Sequence, residues 1–177
     1  REDKIAKQVS LLRADPPVGF VGCGYFDEWL GMNRFPTKRG RVNRDLLVSF
    51  SNVETSTVLF RRSVMEGLGP IDTSLPSEQN HDFFYRMSKV ALFDFVPESL
   101  VVKTAPRDQI SKSPRKKMVG YSRYHFKHLR DSGALGPRKA LTVLLKFLTT
   151  MGLFLAFSGD EKRVDRVYES LCLRLIS

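Results

Sequence analysis

Between residues 3 and 13 (DKIAKQVSLLR) the apolar positions Ile5, Val9 and Leu12 recur at helical spacing. They predict a short amphipathic helix with a charged outer face. Asp15-Pro16-Pro17 ends it, because a residue before proline is pushed out of the helical region. Val18 to Tyr25 (VGFVGCGY) is a short apolar run bounded by turn signals and reads as a buried strand. Its glycines at 19, 22 and 24 imply close backbone approach or bulging. Residues 27 to 45 are polar and contain Gly31, Pro36 and Gly40, so they read as a loop or hairpin. Ser56 to Phe60 is rich in strand formers. Arg61 to Gly67 predicts a short helix that stops at Gly67 or Gly69. After a turn-rich stretch, Ser77 or a polar neighbour caps a helix over His81 to Lys89, whose apolar face is Phe84, Met87 and Val90. Phe93–Pro97 and Leu100–Thr104 read as two short strands separated around Pro97.

From Ser113 onward the pattern is helical. Residues 114–131 form a basic stretch interleaved with Tyr121, Tyr124 and Phe126. Residues 138–157 are almost wholly apolar, and 161–175 carry Val164, Val167, Leu171 and Leu175 on one face. The last two pieces read as a helical hairpin. The span 140–157 is 18 residues long with a single charge, Lys146. A membrane-spanning helix needs about 20 mostly apolar residues, so a buried helix is favoured, with surface lodging or spanning as alternatives.

Charge sharpens this division. The net charge is +10, yet residues 1–100 hold 13 Lys and Arg against 13 Asp and Glu, and residues 101–140 hold 11 against 2. One segment therefore faces something anionic, such as phosphate, lipid headgroups or nucleic acid. A composition 42% hydrophobic and 27% charged excludes wholesale disorder. Cys23 and Cys172 have no metal-ligand spacing and read as reduced, buried thiols in a reducing setting. The chain opens at Arg1 inside a helical pattern and is read as a piece of a longer protein. The expected domains are 1–105 and a basic helical extension over 106–177.

Three stretches together resemble a family 2 glycosyltransferase of the GT-A fold. The first is Lys4-Ile5-Ala6-Lys7-Gln8-Val9 followed by Val18-Gly19-Phe20-Val21. The second is Ser56-Thr57-Val58-Leu59-Phe60-Arg61-Arg62. The third and most specific runs Gly67-Leu68-Gly69-Pro70-Ile71-Asp72, Leu75-Pro76, His81-Asp82-Phe83-Phe84-Tyr85-Arg86-Met87, then Phe95-Val96-Pro97-Glu98-Ser99-Leu100-Val101. It is similar to the family's turn, acidic cleft helix and following strand. The resemblance covers roughly residues 1–105. It implies an α/β fold: the acceptor-side part of a Rossmann-like mixed sheet, followed by a helical extension.

The resemblance also implies a reaction. A base takes a proton from an acceptor hydroxyl as the oxygen attacks the anomeric carbon of a nucleotide sugar. A cation offsets charge on the departing phosphates. Asp82 and Glu78 are the candidate bases, and Gln79, Asn80, His81, Arg86 and Asp72 the candidate acceptor-binding residues. The sequence departs from the family at Gln79 and Asn80, amides where an adjacent Glu-Asp is usual, and an amide cannot accept a proton at neutral pH. Three readings stay open: Glu78 or Asp82 as base, another base with the amides binding acceptor, or an inactive site. Arg86 at i+4 from Asp82 either supports the helix by roughly 0.2–0.5 kcal/mol or orients a carboxylate or phosphate. The loop of Arg34, Lys38, Arg39, Arg41 and Arg44 either closes over a pyrophosphate or is solvated, and Asp27-Glu28 reads as a solvated turn.

The nucleotide-binding strands and metal-binding Asp-x-Asp of the family have no counterpart among the 177 residues. Divalent Mn or Mg is expected in the longer enzyme and is held by none of these residues. The chain alone is expected to bind no nucleotide sugar. The expected acceptor is a lipid-linked or polymeric glycan, and the expected location is cytoplasmic, at the inner membrane face, with an anionic membrane surface as partner. The alternatives are a non-catalytic membrane-surface or scaffold protein and, disfavoured by the neutral first hundred residues, a nucleic-acid-binding module.

Overall fold

A computed structural model of the chain describes residues 1–28, 30–43, 46, 53–104 and 114–128, with isolated positions at 137, 141, 144, 145, 148 and 152. It is a mixed α/β structure that separates into two compact units. The first comprises Arg1–Leu46, Phe50–Ile71 and Asn80–Arg107; the second comprises Leu47–Ser49, Asp72–Gln79 and Asp108–Ser177.

The first unit is built around one buried strand. Helix α1 (Lys4–Ala14) ends at Asp15, and strand β1 (Val18–Asp27) follows the two prolines. All of β1 except Phe26 is buried, as its unbroken apolar run requires. Strand β4 (Leu92–Lys103) lies parallel to β1 from Val18↔Leu92 to Asp27↔Lys103 and fills one edge. The other edge is shared by two short antiparallel strands. Strand β3 (Leu59–Phe60) pairs at Phe20 and Val21, and β2 (Met32–Arg34) pairs at Tyr25 to Asp27. Helices α2 (Arg62–Leu68) and α3 (Gln79–Val90) connect β3 to β4.

Several expectations need amendment. The inward residues of α1 are Gln8 and Leu12, while Ile5 is 52% exposed. The cause is polar: the Gln8 amide donates to the carbonyls of Val21 (2.8 Å) and Thr57 (2.7 Å), which turns that face inward. The two strands expected around Pro97 are one strand with a bulge. Pairing jumps from Cys23↔Val96 to Gly24↔Ser99, leaving Pro97 and Glu98 outside the ladder. Gly24 makes this possible, because a Cβ there would lie 2.8 Å from the Glu98 carbonyl oxygen and 2.4 Å from the Phe35 ring. In α3, Val90 is 67% exposed, whereas Phe83 and Tyr85 are buried beside Phe84 and Met87. More of the helix circumference is enclosed than its apolar stripe predicts. Asp27 is buried too: its carboxylate accepts from the Leu30 N–H (3.2 Å) and organises the β1–β2 turn.

The core of this unit packs Phe20 against Phe93, with ring centroids 4.9 Å apart and the planes tilted by 41°, and closes over Val21, Cys23, Val96 and Leu100. Burial pushes the Cys23 thiol above its ordinary pKa, so it is an inert packing group. Cys172 lies outside the described residues.

In the second unit, helix α4 (Pro114–Lys127) packs on the Asp72–Gln79 segment. Gly120 lets the two backbones meet; a Cβ there would sit 2.8 Å from both the N and O of Ser77. The Ser77 hydroxyl donates to the Lys116 carbonyl (3.2 Å), Arg123 donates to the Ser74 carbonyl (3.0 Å), and Lys127 pairs with Asp72 (2.7 Å). The helix expected over 138–157 is described only at 141, 144, 145, 148 and 152, each helical. The helix expected over 161–175 lies outside the described residues.

Candidate functional site

In the first unit, α3 brings Asp82 and Arg86 together on adjacent turns. Arg86 Nε donates to Asp82 Oδ2 at 2.9 Å, and the Asp82 side chain has no solvent contact. The same guanidinium donates to the carbonyls of Leu68 (2.6 Å) and Pro70 (2.9 Å) and lies 5.6 Å from the centre of the Phe83 ring. One planar cation thus ties the end of α2 and the turn after it to α3. Because the carboxylate is buried, removing its partner costs more than breaking an exposed i,i+4 contact. The ion pair also occupies the Asp82 carboxylate with a structural partner.

His81 is buried, and its Nε2 faces the Leu46 carbonyl. A carbonyl only accepts, so that nitrogen carries the proton and donates. Asn80, at the start of α3, is exposed.

The remaining candidates belong to the second unit. Gln79 donates its amide to the Leu75 carbonyl at 2.7 Å. Asp72 accepts from the Ser74 N–H (3.0 Å), the Ser74 hydroxyl (2.6 Å) and the Lys127 ammonium (2.7 Å). Lys127 first, then Ser74, hold its carboxyl far below the usual carboxylate range. Such a group is a weak base and serves as a fixed hydrogen-bond acceptor.

Glu78 stands immediately before α3, half-buried, with φ at +70°. It is the one non-glycine with positive φ among the described residues. For a residue with a long side chain this left-handed conformation costs about 1–2 kcal/mol and is tolerated where the surroundings impose it. No glycine or asparagine marks the position, so this strain is not legible in the sequence.

A shallow groove of about 280 Å³ lies in the first unit between α1 and β4, lined by Lys7, Leu11, Arg39, Phe95, Pro97 and Glu98 among others. None of the candidate bases or acceptor-binding residues lines it, although Lys7 and Phe95 to Glu98 belong to the resembling stretches. Arg39 stacks 4.3 Å from the centre of the Phe95 ring and pairs with Asp94, and the adjacent Gly40 bridges Phe93. That arginine is therefore anchored on β4 while its side chain stays half-exposed. Sequence reasoning missed the groove because its walls come from three separate segments.

Elsewhere, Lys103 approaches Glu54 (2.6 Å) and the Tyr25 ring (5.7 Å). Burial opposes the Lys103 charge, but Glu54 outweighs it and its pKa is raised overall; burial likewise raises that of Tyr25. Among the described residues no cluster of three His, Cys, Asp or Glu is arranged to hold a metal ion, and no helix is long and apolar enough to cross a membrane.

Neither the family models, nor the curated proteins, nor the solved structures compared with this chain give a match.

Proposed function

We propose that the chain is the acceptor-side part of an inverting, GT-A-type glycosyltransferase, with Glu78 as the base. Glu78 takes the proton of an acceptor hydroxyl. The oxygen attacks the anomeric carbon, the glycosidic bond forms, and the nucleoside diphosphate leaves with the bonding electrons. The acceptor is a lipid-linked or polymeric glycan, and the reaction runs on the cytoplasmic side. Nothing in these 177 residues is assigned to the nucleotide or to the divalent cation that the resemblance implies.

The observation that carries this reading is the left-handed backbone at Glu78, a carboxylate directly preceding α3. Strain of this kind concentrates at functional positions. Supporting it, Arg86 physically joins the Leu68–Pro70 turn to α3, two parts of the most specific resembling stretch. The test is transfer of labelled sugar from a panel of nucleotide sugars to lipid-linked and polymeric acceptors, using the protein expressed from its complete gene. Product from at least one donor supports the proposal; no product with any donor, in the presence of Mn or Mg, overturns it.

A non-catalytic scaffold is the second reading, favoured by the complete burial of Asp82 in its pair with Arg86 and by the amides at 79 and 80. It predicts the failed outcome of the same assay.

A further inference from the structure

Helix α4 has two unlike faces. Gly120, Tyr121, Tyr124 and His128 are buried, at spacings of one, three and four residues that make a single inward stripe. The opposite arc carries Lys116, Val119, Arg123, Phe126 and Lys127, all exposed. Phe126 is 75% exposed, more than any other large hydrophobic among the described residues, and Val119 is 37% exposed one heptad earlier on the same side. Lys116, Arg123 and Lys127 supply the charge on that arc, and the helix sequence holds no acidic residue. Lys127 keeps Asp72 as a partner, and Arg123 gives one bond to Ser74.

A second apolar face lies in the same unit. Leu141, Leu144, Leu145 and Leu148 are helical and 43–54% exposed. Their i, i+3, i+4, i+7 spacing puts them on one side of a helix. An exposed ring and valine beside exposed Lys116 and Arg123, with a row of exposed leucines in the same unit, match the interface of an anionic bilayer, where apolar groups sit below the headgroups and ammonium groups meet phosphates.

We propose that the outer face of α4 docks on the surface of an anionic lipid bilayer, with Phe126 and Val119 seated at the acyl boundary and Lys116 and Arg123 against the headgroups. Nucleic acid fits this face less well. The two tyrosines that would stack bases are buried, packed edge-on against His125 and His128, with Tyr124 5.1 Å from His128. The inference does not rest on sugar transfer, and either can fail without the other.

The test is co-sedimentation of the chain with vesicles of phosphatidylcholine alone or mixed with phosphatidylglycerol, at about 150 mM salt. The chain is expected to partition onto the anionic vesicles and not onto the neutral ones. Phe126→Ser is expected to weaken partition about tenfold, and Lys116→Glu by about fivefold or more. Both positions are exposed, so circular dichroism and melting should be unchanged, and a variant that melts early is replaced by Val119→Ser. Equal binding to the two vesicle types overturns the proposal, as does undiminished binding by Phe126→Ser. So does retention of an oligonucleotide at the same salt by a chain that ignores vesicles.

Discussion

A carboxylate with no solvent contact, such as Asp82, is tolerable in a folded chain only if its charge is answered nearby. Arg86 answers it while remaining 20% exposed itself, so the two partners are not equivalent. Arg86→Met takes the cation away from a buried carboxylate and frees the Leu68 and Pro70 carbonyls; it is expected to cost about 3–5 kcal/mol in urea denaturation. Asp82→Asn keeps a hydrogen-bonding partner and leaves the guanidinium able to reach water, so its cost should be clearly smaller. Equal losses would contradict this asymmetry between the partners. Asp72 gives a titration test. Its pKa is depressed in the folded state, so its contribution is present above the ordinary carboxylate value of 3.8 and is lost only as pH falls through the lower folded value. Carboxyl-carbon NMR should show Asp72 still ionised at about pH 3.8, and Lys127→Met should return its midpoint toward the ordinary range. Glu78→Gly should relieve the left-handed backbone and raise stability by up to about 1 kcal/mol. The proposed base is removed at the same time, so gained stability with lost transfer is the expected signature.

At the scale of elements, the bulge in β4 and the glycine facing it form one device. Gly24→Ala would drive a methyl group into the Glu98 carbonyl and the Phe35 ring, and the backbone oxygen cannot turn away. A loss of about 1–3 kcal/mol is expected by thermal or chemical unfolding; an unchanged midpoint would show that the β1–β4 approach is looser than described. Long, strongly patterned elements were readable in advance. The apolar run of β1, the prolines ending α1 and the turn-bounded helices α2 and α3 fall within a few residues of their expected limits. What escaped was set by partners far along the chain. Pro97 looked like a strand end because the ladder that carries β4 past it belongs to β1. Strand β3 lies inside the strand-forming run Ser56–Phe60 and β2 inside the loop or hairpin read over 27–45, but with two and three residues their limits show no period. The inward face of α1 follows a glutamine, whose two carbonyl acceptors are 13 and 49 residues away.

For the whole molecule, the two units are not divided by a single cut. Asp72–Gln79 groups with the segment from Asp108 onward, tied by Lys127, Arg123 and Ser77 to α4. The candidate residues consequently divide, with Glu78, Gln79 and Asp72 in one unit and Asn80, His81, Asp82 and Arg86 in the other. The i,i+4 spacing made the Asp82–Arg86 pair legible, but neither its burial nor the backbone strain at Glu78 leaves a mark in sequence. The excess positive charge of residues 101–140 was legible by counting; that α4 turns Phe126 outward and its tyrosines inward was not. In the proposed reaction Glu78, rather than Asp82, abstracts the acceptor proton. Its most direct test compares initial rates of sugar transfer by Glu78→Gln and Asp82→Asn in the protein expressed from its complete gene. Glu78→Gln should lower kcat by about 10²–10⁴ with an unchanged melting temperature, and Asp82→Asn should act mainly through stability. A Glu78→Gln enzyme that turns over at the wild-type rate would contradict it.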